Sequence, residues 1–157
     1  MSATTAVAER PRGPSSLVEL AASHPMVHPV KVSWGDMDAL GHVNNVVYFQ
    51  YLEDTRIGVM ETLGIFPRLF EEGIGMVIAD AYCRYKAPVI YPDTLHIGVR
   101  AEIDERERIV FHYSLFSEAQ QRVAAEARTL TVCVSPQSGR PVAMPDWFRQ
   151  ELLRLVP

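Results

Sequence analysis

Residues 44–64, NNVVYFQYLEDTRIGVMETLG, form the segment that most restricts the fold of this chain. The segment contains no proline, begins with two asparagines that can cap a helix, and ends at Gly64. Apolar residues recur at helical spacing on one face, and further apolar residues occupy other faces, namely Val46, Tyr48, Phe49, Leu52 and Ile57. A helix with this pattern is buried on most of its sides. The rest of the chain must therefore surround one central helix.

After this helix, apolar and polar residues alternate with the period of a half-buried strand. The clearest case is DTLHIGVRAEI, residues 93–103, whose predicted inward side chains are Leu95, Ile97, Val99, Ala101 and Ile103. Other predicted strands are residues 26–34, 76–89, 108–119 and 122–135. Short connections predict that the last four strands form a meander. One buried helix with a sheet that curls around it defines an α+β domain.

The two ends of the chain carry separate signals. Residues 1–14 are small, polar and proline-containing, which predicts a disordered tail. Ser16 and Glu19 have the spacing of a capping box before a short helix. The predicted organisation is a flexible N-terminal tail with this short helix at 1–25, and a single domain at 26–157 that ends in an amphipathic helix at 145–156.

Composition and charge argue against several classes of function. A formal charge of -4 over 157 residues argues against a nucleic-acid partner, because phosphate binding needs a basic face. The sequence has no apolar run long enough to cross a bilayer, no apolar core of a secretory signal and no zinc-type Cys/His spacing. Cys83 and Cys133 stand alone in alternating segments, as free thiols in a reducing compartment do. The cytoplasm is the predicted location.

A loop rich in acids, glycine, histidine and asparagine precedes the central helix. It reads WGDMDALGHVNN, residues 34–45, and its composition suits neither a strand interior nor a helix interior. Together with the helix start it gives WGDMDALGHVNNVVYFQYLEDTR, residues 34–56. This stretch resembles the Asp-x-Asp loop and the Tyr-x-x-Tyr-x-Glu-x-x-Arg helix of hotdog-fold thioesterases of the 4-hydroxybenzoyl-CoA thioesterase type. YCRYKAPVIYPDTL, residues 82–95, resembles the second strand of that family.

The resemblance implies a hotdog fold, in which a curled antiparallel sheet of about five strands wraps around one long central helix. It also implies a homodimer or a dimer of dimers with the active site at the subunit interface. The implied function is an acyl-CoA thioesterase that hydrolyses an acyl- or aroyl-CoA thioester to free acid and coenzyme A, without a cofactor or metal. Two alternatives remain open: an acyl carrier protein thioesterase of a biosynthetic pathway, and a non-catalytic acyl-CoA-binding module.

The same resemblance assigns the catalytic roles of Asp38 and Asn45, and the chemistry of the residues themselves suggests the roles of the other loop residues. Asp38 is the catalytic carboxylate, either as a nucleophile toward the thioester carbonyl or as a general base for water. The backbone N–H of Asn45, in the first turn of the helix, is the oxyanion donor, since such N–H groups have no intrahelical partner. His42 is either a catalytic helper or a structural residue. Gly41 lets the backbone turn sharply toward a ligand. Asp36 is the rival of Asp38 for the catalytic role, and a role in orienting the loop is favoured because turn aspartates accept backbone N–H bonds.

Candidate substrate-binding residues lie on the helix and the second long strand. Asn44 is a helix cap that borders the predicted site. Tyr48 either lines an acyl tunnel or fills the core. Arg84 and Lys86 are candidates for binding the phosphates of coenzyme A, because guanidinium and ammonium groups suit phosphate, and a solvated strand face is the alternative for each.

Overall fold

The computed structural model describes residues 13–157, so residues 1–12 of the predicted disordered tail lie outside the described residues. In chain order the α-helices and β-strands are α1 Leu17–Ser23, β1 Met26–Lys31, α2 Asn45–Thr62, α3 Ile65–Glu71, β2 Gly75–Tyr85, β3 Thr94–Ile103, β4 Ile109–Ser117, β5 Arg122–Val134 and α4 Asp146–Leu152. Two short 3-10 turns are also present, at Trp34–Asp36 and Leu153–Leu155.

The five strands form one antiparallel sheet in the order β1–β3–β4–β5–β2. α2 lies against the inner face of this sheet, and its Leu52 and Met60 are almost completely buried among apolar side chains of the strands, such as Ile97 and Phe111. α4 adds Phe148 to the same core, as expected for the predicted C-terminal helix. The predicted α+β architecture, one long helix held by a curled antiparallel sheet, is confirmed.

One flank of α2 is apolar and exposed. Its core side buries Tyr48, Leu52 and Val59, whereas Val46 is 68% exposed and Phe49 is 37% exposed. The sequence pattern predicted burial on most sides of this helix, and a single chain provides it only for the side that faces the sheet. The sheet cannot cover the other flank because it ends at the edge strand β2.

The predicted meander of four strands is wrong for β2. β3, β4 and β5 are neighbours as predicted, but β2 pairs with β5, with Ala81 opposite Thr129, and β1 occupies the place next to β3. The reason is the connection between β2 and β3, residues 86–93, which is longer than a hairpin loop and contains two prolines that cannot donate to a ladder. This segment crosses the sheet from the edge strand β2 to β3, which lies next to the opposite edge strand β1.

α3 was not predicted from the sequence. Gly64 ends α2 as expected, with φ of 67° in the left-handed region that favours glycine. α3 begins at the next residue, and Pro67 lies in its first turn, where a missing N–H costs no hydrogen bond. Ile65 and Leu69 of α3 are buried in the core. The proline therefore marked the beginning of a second helix and not a loop.

α1 covers part of the outer face of the sheet. Its N-cap Ser16 accepts a hydrogen bond from the N–H of Glu19 at 3.2 Å, as the capping pattern predicted. Leu20 of α1 is fully buried with Phe116 and Val123 of the sheet. Strand alternation places Gly98 of β3 on the face opposite the predicted inward side chains, and it is buried there beneath α1. A glycine is needed there because helix and strand approach closely.

Gly98→Ala is expected to destabilise the protein by about 1–3 kcal/mol, because a Cβ at this position meets Cγ of His24 at 2.6 Å and Cδ1 of Leu20 at 2.8 Å. Urea unfolding measures the change in free energy. Gly35→Ala is the control, since its Cβ meets nothing within 4 Å, and its effect should stay within about 0.5 kcal/mol. Equal stability of the two variants would show that α1 does not press on β3.

Candidate active site

The loop before α2 is a tight, hydrogen-bonded turn. The N–H of Asp38 donates to the carbonyl of His42 at 2.9 Å, and the N–H of Gly41 donates to the carbonyl of Asp38 at 3.0 Å. Gly41 has φ of 78°, which side chains other than glycine adopt at a cost. The N–H of Val43 donates to the carbonyl of Val89 at 2.8 Å, so the loop is fastened to the crossing segment 86–93.

Two donors orient the carboxylate of Asp38. The N–H of Leu40 donates to Oδ1 at 2.8 Å, and Nδ2 of Asn44 donates to Oδ2 at 3.3 Å. Asn44 is also the N-cap of α2, because its Oδ1 accepts from the N–H of Val46 at 3.0 Å. One asparagine therefore ties the start of the helix to the half-buried carboxylate.

The first backbone amide of α2 is free to bind an oxyanion. Asn44 accepts from the next two amides, from Val46 through its side chain and from Val47 through its carbonyl at 3.0 Å. For the N–H of Asn45, none of the residues in 13–157 provides an acceptor. An N–H at a helix start also lies at the positive end of the helix dipole. The amide of Asn45 can thus polarise a carbonyl oxygen.

A cavity of about 420 Å³ joins these groups. It lies between the loop, the start of α2 and the end of β2. Of the predicted site residues, the cavity is lined by Asp38, His42, Asn45, Tyr48 and Lys86. Its remaining lining residues are Leu40, Val43, Tyr85, Ala87 and Pro88. A carboxylate, a free helix amide and an apolar wall therefore meet in one space.

Tyr85 was not singled out from the sequence, yet it forms one wall of the cavity. Its hydroxyl donates to the carbonyl of Asn45 at 3.0 Å, and its ring meets that of Tyr48 edge to face at 4.9 Å. The alternation of β2 could have indicated that Tyr85 points inward, since Tyr85 faces the same side as Cys83, which contacts the core. Burial raises the pKa of Tyr48 to about 12 and raises that of Tyr85 as well. Both hydroxyls keep their protons near neutral pH.

The two predicted phosphate-binding residues lie apart. Lys86 lines the cavity and pairs through Nζ with Oε1 of Glu126 at 2.5 Å. Arg84 lines a separate groove on the outer face of the sheet, with Tyr82 and Arg128. Because β2 alternates its side chains, Arg84 cannot share the face of Tyr85.

The cysteines are unsuited to nucleophilic catalysis. Burial raises the pKa of the Cys83 thiol and of the Cys133 thiol to about 11, so both stay protonated near neutral pH. Between residues 13 and 157, no three His, Cys, Asp or Glu side chains group so that they could hold a metal ion. None of the helices in the same range is long and apolar enough to span a membrane.

Comparison with known proteins identifies the family. The family model of the thioesterase-like superfamily matches residues 32–152, which include the loop, α2 and the four strands β2 to β5. The chain belongs to the thioesterase-like superfamily.

Individual relatives agree with this membership. The long-chain acyl-CoA thioesterase FadM of Escherichia coli is 24% identical over 127 residues, which cover 81% of this chain and 96% of FadM. The structure of the PA2801 protein of Pseudomonas aeruginosa has a TM-score of 0.72 at 33% identity and covers 81% of this chain and 97% of that one. The DHNA-CoA thioesterase of Staphylococcus aureus has a TM-score of 0.72 at 20% identity, covering 82% of this chain and 86% of that one, which shows a shared fold.

These findings confirm the resemblance read from residues 34–56 and the predicted hotdog fold. They also confirm the prediction that this thioesterase-like protein is a thioester hydrolase. The roles of Asp38, Asn45 and His42 are not addressed by the similarity and depend on the geometry of the cavity.

Proposed function

We propose that the protein is an acyl-CoA thioesterase that hydrolyses an acyl- or aroyl-CoA ester to the free acid and coenzyme A. One observation carries the proposal: the Asp38 carboxylate and the free N–H of Asn45 line the same 420 Å³ cavity. Hydrolysis of a thioester needs a base or nucleophile on one side of the carbonyl and a donor for the developing oxyanion. The relative FadM is named as an acyl-CoA thioesterase.

The reaction uses the two groups in turn. The thioester carbonyl oxygen binds the N–H of Asn45, which stabilises negative charge as the carbonyl carbon becomes tetrahedral. Either an Asp38 oxygen attacks that carbon, or Asp38 takes a proton from a water that attacks it. Collapse of the intermediate breaks the C–S bond and releases the thiolate of coenzyme A, which takes up a proton. If Asp38 attacked, water then hydrolyses the resulting anhydride to the acid and restores the carboxylate.

Neighbouring residues fit supporting roles. Tyr85 holds the carbonyl of Asn45 and so fixes the first turn of α2. His42 lines the cavity, and its ring hydrogen-bonds with no partner in the described part of the chain, so it is available to a substrate or a water. Lys86 can exchange Glu126 for a phosphate or pantetheine oxygen at the rim of the cavity. Arg84 would contact only a part of coenzyme A that reaches the outer face of the sheet.

The test is release of free thiol from a panel of purified esters: a short-chain, a long-chain and an aromatic acyl-CoA, and the same acyl group on acyl carrier protein. Turnover above the uncatalysed rate on at least one coenzyme A ester supports the proposal, and the ratio between the two carriers tests the choice of coenzyme A. Background rates on all coenzyme A esters would overturn it. Saturable binding of the esters without turnover would identify a binding module instead.

We also propose that the working form is a homodimer. β2 is an edge strand, and it forms with α2 a groove of about 550 Å³ whose apolar wall includes Val46, Phe49, Ile78 and Ala81. Contiguous exposed apolar surface beside an unpaired edge strand favours pairing with another chain. A second copy is the proposed occupant, because an antiparallel edge can pair with itself across a twofold axis. The partner would then border the groove that begins beside the catalytic loop.

Ile78→Arg is expected to break this dimer, because Ile78 is exposed at the groove and a twofold interface would carry the new charge twice. We expect the dissociation constant to rise by about 100-fold or more, with a parallel loss of kcat/KM. Light scattering during size-exclusion chromatography measures the mass. Val18→Arg on α1, 80% exposed, is the matched control. An Ile78→Arg protein that remains a fully active dimer would place the interface elsewhere.

A further inference from the structure

Tyr51 links the core of the protein to the catalytic loop without lining the cavity. Its ring is 4% exposed on the core side of α2, and its hydroxyl donates to Oδ2 of Asp36 at 2.6 Å. The cavity that holds Asp38 and Asn45 is bordered by other residues. Tyr51 is thus a buried polar group for which the catalytic steps provide no use.

Asp36 connects two parts of the loop. Its Oδ2 also accepts from the N–H of Ser33 at 2.8 Å, which fixes the entry to the 3-10 turn. Its backbone carbonyl accepts from the N–H of Asn44 at 2.9 Å. Asn44 in turn donates to Oδ2 of Asp38. The contacts form an unbroken series from Tyr51 through Asp36 and Asn44 to the catalytic carboxylate.

The first contact of this series is a short hydrogen bond from a buried side chain. Burial and the hydrogen bond to Asp36 raise the pKa of Tyr51, so its hydroxyl remains a donor near neutral pH. Loss of the hydroxyl leaves the Asp36 side chain with the Ser33 N–H as its remaining donor, and the loop can shift.

We propose that Tyr51 is a positioning residue for the hydrolysis. It acts through Asp36 and Asn44 to hold the Asp38 carboxylate at a fixed position relative to the N–H of Asn45. The inference rests on the proposed function, because positioning matters only if Asp38 reacts. The first turn of α2 carries Asn45, and a later turn of the same helix carries Tyr51. A single rigid helix therefore positions both the oxyanion donor and, through the loop, the Asp38 carboxylate.

The experiment compares Tyr51→Phe with Tyr113→Phe in the full-length protein. Tyr113 is equally buried, and its hydroxyl bonds Thr129 at 3.1 Å, away from the loop. Both variants lose one buried hydroxyl, so we expect similar decreases in Tm. Only Tyr51→Phe should lower kcat, by about 10- to 100-fold, because a shift of about 1 Å in a reacting group has effects of this size. KM should stay within about twofold for both.

Asp36 variants supply a second test. Asp36→Asn keeps an oxygen that can accept from Tyr51 and Ser33, whereas Asp36→Ala removes it, so kcat should decrease in the order wild type, Asp36→Asn, Asp36→Ala. Adding Tyr51→Phe to Asp36→Ala should cause no further loss, because the two residues act through one contact.

The possible results separate this inference from the proposed function. Wild type without turnover overturns both. Wild type with turnover, together with an unchanged kcat in Tyr51→Phe, overturns the positioning role alone. An equal loss of kcat in Tyr51→Phe and Tyr113→Phe would also overturn it, since the effect would then be one of general stability. A loss of kcat in Tyr51→Phe and in the Asp36 variants, but not in Tyr113→Phe, supports it.

Discussion

Asp38→Asn is expected to lower kcat by about 10³-fold. The amide keeps the shape of the side chain and can still accept from the N–H of Leu40, but it can neither attack a thioester nor take a proton from water. Thiol release at saturating substrate measures kcat, and circular dichroism checks the fold. KM should change little, since the carboxylate acts mainly in the transition state.

Asp54→Asn is the matched control for this substitution. Asp54 lies on the exposed side of α2, where its carboxylate accepts from Gln50 at 2.9 Å, so removal of its charge should leave kcat unchanged. A kcat within tenfold of wild type for Asp38→Asn would show that another group of the cavity is the base or nucleophile, with His42 the first candidate. Rapid quenching of wild type followed by intact-mass measurement distinguishes the two roles of Asp38, because only a nucleophile gains the mass of the acyl group.

Asn45→Pro is expected to lower kcat by about 10²- to 10³-fold, because proline removes the one backbone N–H proposed to bind the oxyanion. The structure can accept the ring. Asn45 is the first residue of α2, where proline is favoured, and the preceding Asn44 has φ of −60° and ψ of 140°, which a following proline requires. No intrahelical hydrogen bond depends on this N–H. Steady-state kinetics and thermal unfolding are measured together.

Asn45→Ala retains the N–H and removes the side chain, so it should keep kcat within about threefold of wild type. This pair separates a backbone role from a side-chain role at the same residue. If the alanine variant were as inactive as the proline variant, the side chain would carry the function. If the proline variant were fully active, the oxyanion donor would lie elsewhere in the cavity.

The central helix, the strands and the position of the loop could be read from the sequence because they depend on local patterns. Helical spacing without proline predicted α2. Strict alternation predicted that four side chains of β3 face inward, which the structure confirms for Leu95, Ile97, Val99 and Ala101. The composition of residues 34–45 marked the loop that contains Asp38. Each of these signals concerns residues close in the chain, where backbone geometry determines which side chains share a face.

Pairing and contact between distant residues could not be read in the same way. The position of β2 at the edge depends on where residues 86–93 travel, and the turn pattern of that segment was equally consistent with a hairpin. Gly98 alternated as an outward residue, and only the docking of α1 made it buried. Tyr85 reaches the carbonyl of Asn45 from a strand 40 positions away in sequence, a contact that no local pattern encodes.

The amino-acid sequence by itself determined the helix, the alternation of the strands, the family resemblance and the acidic loop, because hydrophobic period and turn chemistry act over a few residues. Only the tertiary structure decided which strand lies at the open edge, which amide of α2 remains without an acceptor, and that Tyr51 is bonded to Asp36. Those features arise when segments far apart in the chain are packed together, and packing energy depends on the full three-dimensional arrangement of the side chains.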